Sequence, residues 1–171
     1  MKIYKGQTRQ IAIDIADALL KEEAVDVEAD DKEEFYLDIE SVFRSYVETG
    51  RQIYEEAQEL VQKRRLDFSS FHKVQREVAK KYNFALGDDA IDWITDQLIE
   101  MLFHTAHVAE VWADNNDIRR ISRPIIYKHT SVDSDMDAEV RKKIKNLSEG
   151  SLAWDVKYQQ VLEDVRRKRG L

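Results

Sequence analysis

Apolar residues recur along most of this chain at intervals of three and four, the period of an α-helix with one buried face. Thr8 is placed to open a helix with Ile11, Ile15, Ala18 and Leu19 inward. Val25 to Val27 alternates apolar and polar, the mark of a short extended connection. Asp30 or Asp31 then caps a helix whose stripe is Phe35, Ile39, Val42, Phe43 and Tyr46. Ile53, Ala57, Leu60 and Val61 prolong that stripe beyond Gly50, which either kinks the helix or is absorbed into one rod. Ser69 or Ser70 caps the next helix, with Phe71, Val74, Val78 and Tyr82 inward. A fourth begins at Asp88 or Asp89 and presents Ile94, Leu98, Met101, Leu102, Thr105 and Val108. Asp114 caps a fifth with Ile118, Ile121 and Ile125, in which Pro124 either introduces a kink or marks a later start. Met136, Val140, Ile144 and Leu147 form another stripe, and Trp154, Tyr158, Val161, Leu162 and Val165 the last. The expected fold is all-α.

Short matches relate the two halves. Ala12 to Leu20 resembles Ala90 to Ile99 with one insertion, Val27-Glu28-Ala29-Asp30 answers Val111-Trp112-Ala113-Asp114, and Val74 and Val78 fall on Val161 and Val165. An internal duplication accounts for them, and so does chance similarity between helical segments. The matches suggest two similar helical halves, residues 1–84 and 85–171, parted at Phe84 to Asp88 and joined by long amphipathic helices over 34–65 and 114–147.

Composition agrees with helix. Of 171 residues 36% are charged, only five are glycine and one is proline, and residues that lose little freedom in a helix abound. The absence of cysteine excludes disulfides and thiolate metal sites. Lys2 to Gly6 contains no apolar run, so no signal peptide is expected and the cytoplasm is the default location. The most apolar window, 91–111, carries Asp92, Asp96, Glu100, His104, His107 and Glu110, too polar to span a membrane. High charge and only four asparagines suit a thermophile as well as an ordinary charged helical protein.

Charge is unevenly placed. Asp14 to Glu40 holds twelve acids against two lysines, whereas Arg141 to Leu171 holds nine basic residues against four acids, on a chain of net charge -7. The basic segment reads as a helical hairpin: Arg141 to Lys145, a turn through Asn146-Leu147-Ser148-Glu149-Gly150-Ser151, then a second arm from Leu152. Ser148 and Ser151 are good N-caps, and Gly150 lets the turn tighten. A phosphate, sulfate or carboxylate at the amides after Ser151 would gain from the helix dipole and from Lys142, Lys145 or Lys157. Plain capping with solvated lysines is the alternative.

The basic helix, Glu149-Gly150-Ser151, Trp154-Asp155, Tyr158 and Arg169-Gly170, together with Leu19-Leu20-Lys21-Glu22 near the start, resemble a bacterial family catalogued as a domain of unknown function, number 507. The resemblance runs nearly the whole length, with its specific motifs in the C-terminal hairpin. It departs from the family pattern at Ala153, where a charged residue is more usual. It implies an all-helical protein and brings no assigned activity, cofactor or partner.

Other constellations carry less. Asp96, Glu100, His104, His107 and Glu110 are spaced to lie along one helix side, as divalent-metal ligands would, but that side is opposite the apolar stripe and reads first as a solvated face. The exposed Phe103 beside it suggests contact with another helix or a second copy of the chain. His72 and His129 stand alone. Nucleophile elbows and phosphate-cradling glycine loops are missing. Lys63-Arg64-Arg65 and Arg166 to Arg169 oppose helix dipoles most simply; they also offer a nucleic-acid surface, which the acidic balance disfavours. Three readings remain: a non-enzymatic binding module with no cofactor, meeting a small anion, a protein partner or its own copy; a nucleic-acid accessory protein; and a metal-dependent enzyme.

Overall fold

A computed structural model of the chain describes residues 3, 5–146 and 152–169. Six helices account for most of them: α1 (Thr8–Lys21), α2 (Lys32–Lys63), α3 (Phe71–Lys81), α4 (Ala90–His104), α5 (Asn115–Lys143) and α6 (Leu152–Lys168). Two short strands, β1 (Val25–Asp26) and β2 (Glu110–Val111), pair antiparallel with Val25 opposite Val111 and Asp26 opposite Glu110. The fold is mostly all-α. Among the described residues no helix is long and apolar enough to cross a membrane.

The expected stripes are the buried faces. Ile11, Ile15 and Leu19 of α1 meet Phe35, Ile39 and Phe43 of α2, with Ile94, Leu98 and Leu102 of α4, all fully or almost fully buried. Gly50 is absorbed into the single rod of α2, and Phe84 lies where its missing side chain leaves ordinary contact distance. Two stripes differ in detail. Along the first part of α5 the buried positions are Ile118, Ile121, Ser122 and Ile126, with Ile125 only half-buried. Tyr82, beyond α3, is 43% exposed and donates its hydroxyl to Glu56 at 3.0 Å.

α4 is shorter than the sequence pattern suggests. It ends at His104, where Thr105 turns extended at φ -69°, ψ 147°. Thr105 Oγ1 donates to Asp38 of α2, and the chain leaves for β2. The apolar pattern continues to Val108 because that residue packs on the core from the loop.

Helix starts also differ from the expected capping. Three-residue 3-10 turns precede α1, α2, α3 and α4, at Lys5–Gln7, Ala29–Asp31, Phe68–Ser70 and Gly87–Asp89. Their tighter backbone bonds occupy amide groups that side-chain caps would otherwise serve. Thr8 sends its hydroxyl to Glu40 instead, and Asp31, Ser70 and Asp89 make no capping bond. Asp114 does cap α5, accepting from the amides of Asn116 and Asp117 at 2.8 and 2.9 Å. α1, α2 and α3 each close on a left-handed residue, Glu23, Arg65 and Asn83. Its amide and the next bond back to the last turn, as in Ala24 N to Leu19 O at 2.9 Å, which satisfies the last carbonyls without glycine.

By compactness the described chain forms two units, residues 3–127 and the residues from Lys128 on. The first holds the large core just described. Tyr46 of α2 stacks on Phe84 at 4.6 Å, and Trp93 of α4 tilts against both at 5.8 and 5.1 Å. Trp93 Nε1 donates to Asn83 O at 2.7 Å, so the segment around residue 84 is held from both sides within this unit. The second unit buries Met136 and Val140 of α5, and Ile144 just beyond it, against Leu162 and Val165 of α6, with Tyr158 and Val161 beside them. The order turn, helix, short strand, long helix, helix over 5–81 recurs over 87–168.

Candidate functional site

Of the residues expected to form an anion pocket, Ser148, Gly150 and Ser151 lie outside the described residues, as do Leu147 and the side chain of Trp154. Lys142, Lys145 and Lys157 are described, and all three are exposed. Most of their basic neighbours are engaged, whereas Lys168 is exposed and in no ion pair among the described residues. Arg141 reaches Asp137 at 2.7 Å, Lys143 and Arg169 both reach Glu139 at 2.7 and 2.9 Å, and Arg167 reaches Asp164 at 3.0 Å. Tyr158 donates its hydroxyl to Asp137 from α6. Hydrogen bonds from Lys143 and then Arg169 hold the Glu139 carboxyl below its ordinary value, because each stabilises the charged form. No carboxylate among the described residues pairs with Lys142, Lys145 or Lys157, so this unit neutralises part of its basic segment internally and displays these three lysines together with Lys168.

The five residues spaced for metal binding are dispersed. Asp96 pairs with Arg119 of α5. His104 Nδ1 donates to the Glu100 carbonyl at 2.7 Å, which sets its tautomer and closes the end of α4. His107 and Glu110 come after the helix has ended, Glu110 in β2. Among the described residues no group of three or more His, Asp or Glu side chains is arranged to hold a metal ion.

His107 belongs to a different arrangement, which helical spacing could not reveal. Its Nδ1 donates to Asp38 Oδ2 at 2.8 Å, and its backbone amide donates to Thr105 Oγ1 at 3.1 Å. The hydrogen bond to Asp38 raises the imidazole pKa, with Asp31 and Glu34 adding attraction. The trio ties the loop after α4 to α2. Beside it, Ser41 and Ser45 of α2 and Gln97, Glu100 and His104 of α4 rim an open groove of about 360 Å³ floored by Val42, Trp93 and Met101.

A second groove, of about 580 Å³, lies at the strand pair and is lined by Leu20, Glu23, Val25, Asp26, Val27 and Trp112. Trp112 is 64% exposed, although its own amide is fixed to Ala24 O at 3.0 Å. The sequence signal is an aromatic among acids, Glu110-Val111-Trp112-Ala113-Asp114, in which the repeat pattern gives Trp112 no role of its own. Also unforeseen is Glu40, 5% exposed on the inner face of α2. Thr8, Arg44 and Arg9 meet its carboxylate at 3.3, 2.9 and 3.5 Å. These partners offset the cost of burying its charge.

The family model described as "Protein of unknown function (DUF507)" matches residues 1–171, the whole chain. No curated protein matches it.

Proposed function

We propose that this chain, which belongs to that family of proteins of unknown function, is a non-enzymatic binding module whose second unit takes an anionic group, a phosphate, sulfate or carboxylate. One observation carries the reading. Arg141, Lys143, Arg167 and Arg169 are each held by a carboxylate, whereas Lys142, Lys145 and Lys157 are exposed with no acidic partner among the described residues. These are the cations that the spacing around Ser148, Gly150 and Ser151 nominates for the start of α6. A helix N-terminus supplies amide donors and a favourable dipole, and unpaired lysines supply charge that no internal carboxylate has claimed.

Exposed charges act over roughly a Debye length of 8–10 Å at ordinary salt, so binding should weaken steeply as salt rises. Phosphate should raise the melting temperature of the wild type more than that of the Lys145→Ala, Lys157→Ala double variant at matched ionic strength. The two lysines are solvated, so the variant should fold as the wild type does. Equal phosphate shifts in the two proteins would reduce the hairpin to a capped turn.

A further inference from the structure

The groove beneath Trp112 combines three features. The first is an exposed aromatic ring carried on a fixed stretch of backbone. The backbone of Trp112 leaves β2 through two bonds to one acceptor, Trp112 N and Ala113 N to Ala24 O at 3.0 and 3.1 Å. Its position is therefore set before anything binds, which lowers the ordering cost of an encounter. Trp93 shows what a tryptophan with a structural role does here: it gives its indole N–H to Asn83 and packs on two rings.

The second feature is an apolar floor of Leu20, Val25 and Val27, partly or fully covered and continuous with the main core. The third is charge of one sign. Strand register sets Asp26 directly opposite Glu110, and both are exposed. Like charges in that relation repel, and no cation among the described residues is bonded to either. Glu23, also exposed, lines the groove. Arg120, the basic residue brought here by α5, is already engaged by Glu22 and Asp117 at 2.9 and 3.3 Å.

We infer that this groove is the docking site for an arginine-bearing basic segment of a partner protein. A guanidinium lies over the Trp112 ring, and neighbouring cations separate and neutralise Asp26 and Glu110. Arginine suits the ring better than lysine because its planar, weakly hydrated cation stacks on an aromatic face while its N–H groups still reach carboxylates. An extended segment places alternate side chains on one face, so every second residue can be basic. The surface differs from the lysine-bearing region of the second unit in sign and in ligand class.

The test titrates the whole chain with a blocked, fluorescein-labelled peptide of alternating arginine and alanine, read by anisotropy. The same peptide with lysine, or with glutamate, at each arginine serves as comparison. Trp112→Ala should weaken the arginine peptide about ten-fold, as loss of a cation–π anchor does. Asp26→Asn with Glu110→Gln should weaken it too, and should flatten its salt dependence. This pair removes a repulsion, so it should fold at least as well as the wild type and keeps the test sound should Trp112→Ala be unstable. The lysine peptide should bind less tightly, and the glutamate peptide not at all. Equal affinity in the wild type and both variants, or equal binding of the glutamate peptide, overturns the inference. So does sedimentation showing that Trp112→Ala turns a dimer into a monomer, since the occupant would then be a second copy.

Discussion

The two compact units meet the same packing requirement with unequal means. Residues 3–127 bury large side chains from five helices, among them Phe35, Phe43, Ile39, Ile53 and Leu98. The residues from Lys128 on bury Met136, Val140, Ile144, Leu162 and Val165, and little else of that size among the described residues. A small core leaves more of the stability to whatever lies around it. In the second unit that surrounding is a ring of polar contacts: Asp137 takes Arg141 and Tyr158, and Glu139 takes Lys143 and Arg169. The first unit also pairs charges across its surface, Arg64 with Glu77 and Arg119 with Asp96 among them. It carries 26 acids and 16 bases, and sets Asp26 opposite Glu110 with no cation among the described residues paired to either. Both units pair charges, the first through Arg64–Glu77 and Lys81–Glu56 among others, and both leave some exposed without an ion-pair partner among the described residues, Asp26 and Glu110 in the first and Lys142, Lys145 and Lys157 in the second.

The strongest test of this contrast is to cut both cores. Phe43→Ala in the first unit should cost about 3–5 kcal/mol, and Leu162→Ala in the second about 2–5 kcal/mol. Hydrogen exchange read residue by residue separates them. Leu162→Ala should raise exchange across α6 while the amides in the middle of α2 keep their protection, because the two residues belong to different units. Equal loss of protection in both helices would mean that the units unfold as one, and the contrast would fall.

A smaller effect sharpens the account of helix starts. Asp114 caps α5 through its side chain, so Asp114→Ala should cost about 0.5–2 kcal/mol in chemical denaturation. Asp89→Ala, at a start already served by a 3-10 turn and with no capping bond, should change stability by less. If the two substitutions cost the same, the turns are not replacing caps.

The gentlest contrast is in pH. His107 has its pKa raised from 6.5, chiefly by its bond to Asp38. Its contribution to the first unit is full below about pH 6.5 and is lost as pH rises through the raised value. Glu139 has its pKa lowered from 4.5, so its contribution to the second unit is full above that value and is lost as pH falls through the lowered one. Glu56 and Glu77 in the first unit share the sign of Glu139; His107 is the group with a raised pKa that titrates nearest neutrality there, below Tyr46, Tyr82 and Lys32, whose raised values start from 10 or above. The wild type should therefore lose more melting temperature than His107→Gln as pH rises from below 6.5 into the alkaline range. Parallel curves would remove the Asp38–His107 pair from the account.

The sequence by itself determined where the helices lie, to within their ends, and most of the face that each one buries. Spacing of three and four carries that information locally: Phe35, Ile39, Phe43 and Ile53 are on one side of α2 wherever α2 lies. It also determined the charge of each region, and the choice of Asp114 as a cap. Tertiary structure decided what depends on residues far apart in the chain. α4 stops at His104 because Thr105 and His107 find Asp38, some seventy positions earlier. Val25 and Asp26 become a strand because Glu110 and Val111 come alongside, and a two-residue strand has no signature without its partner. Glu40 is buried because Thr8, Arg9 and Arg44 converge on it, and nothing in the helical period separates it from the exposed acids nearby. Trp112 stands over an acidic groove for the same reason. Periodicity reports how a residue relates to its own helix, and a site is made where separate elements meet.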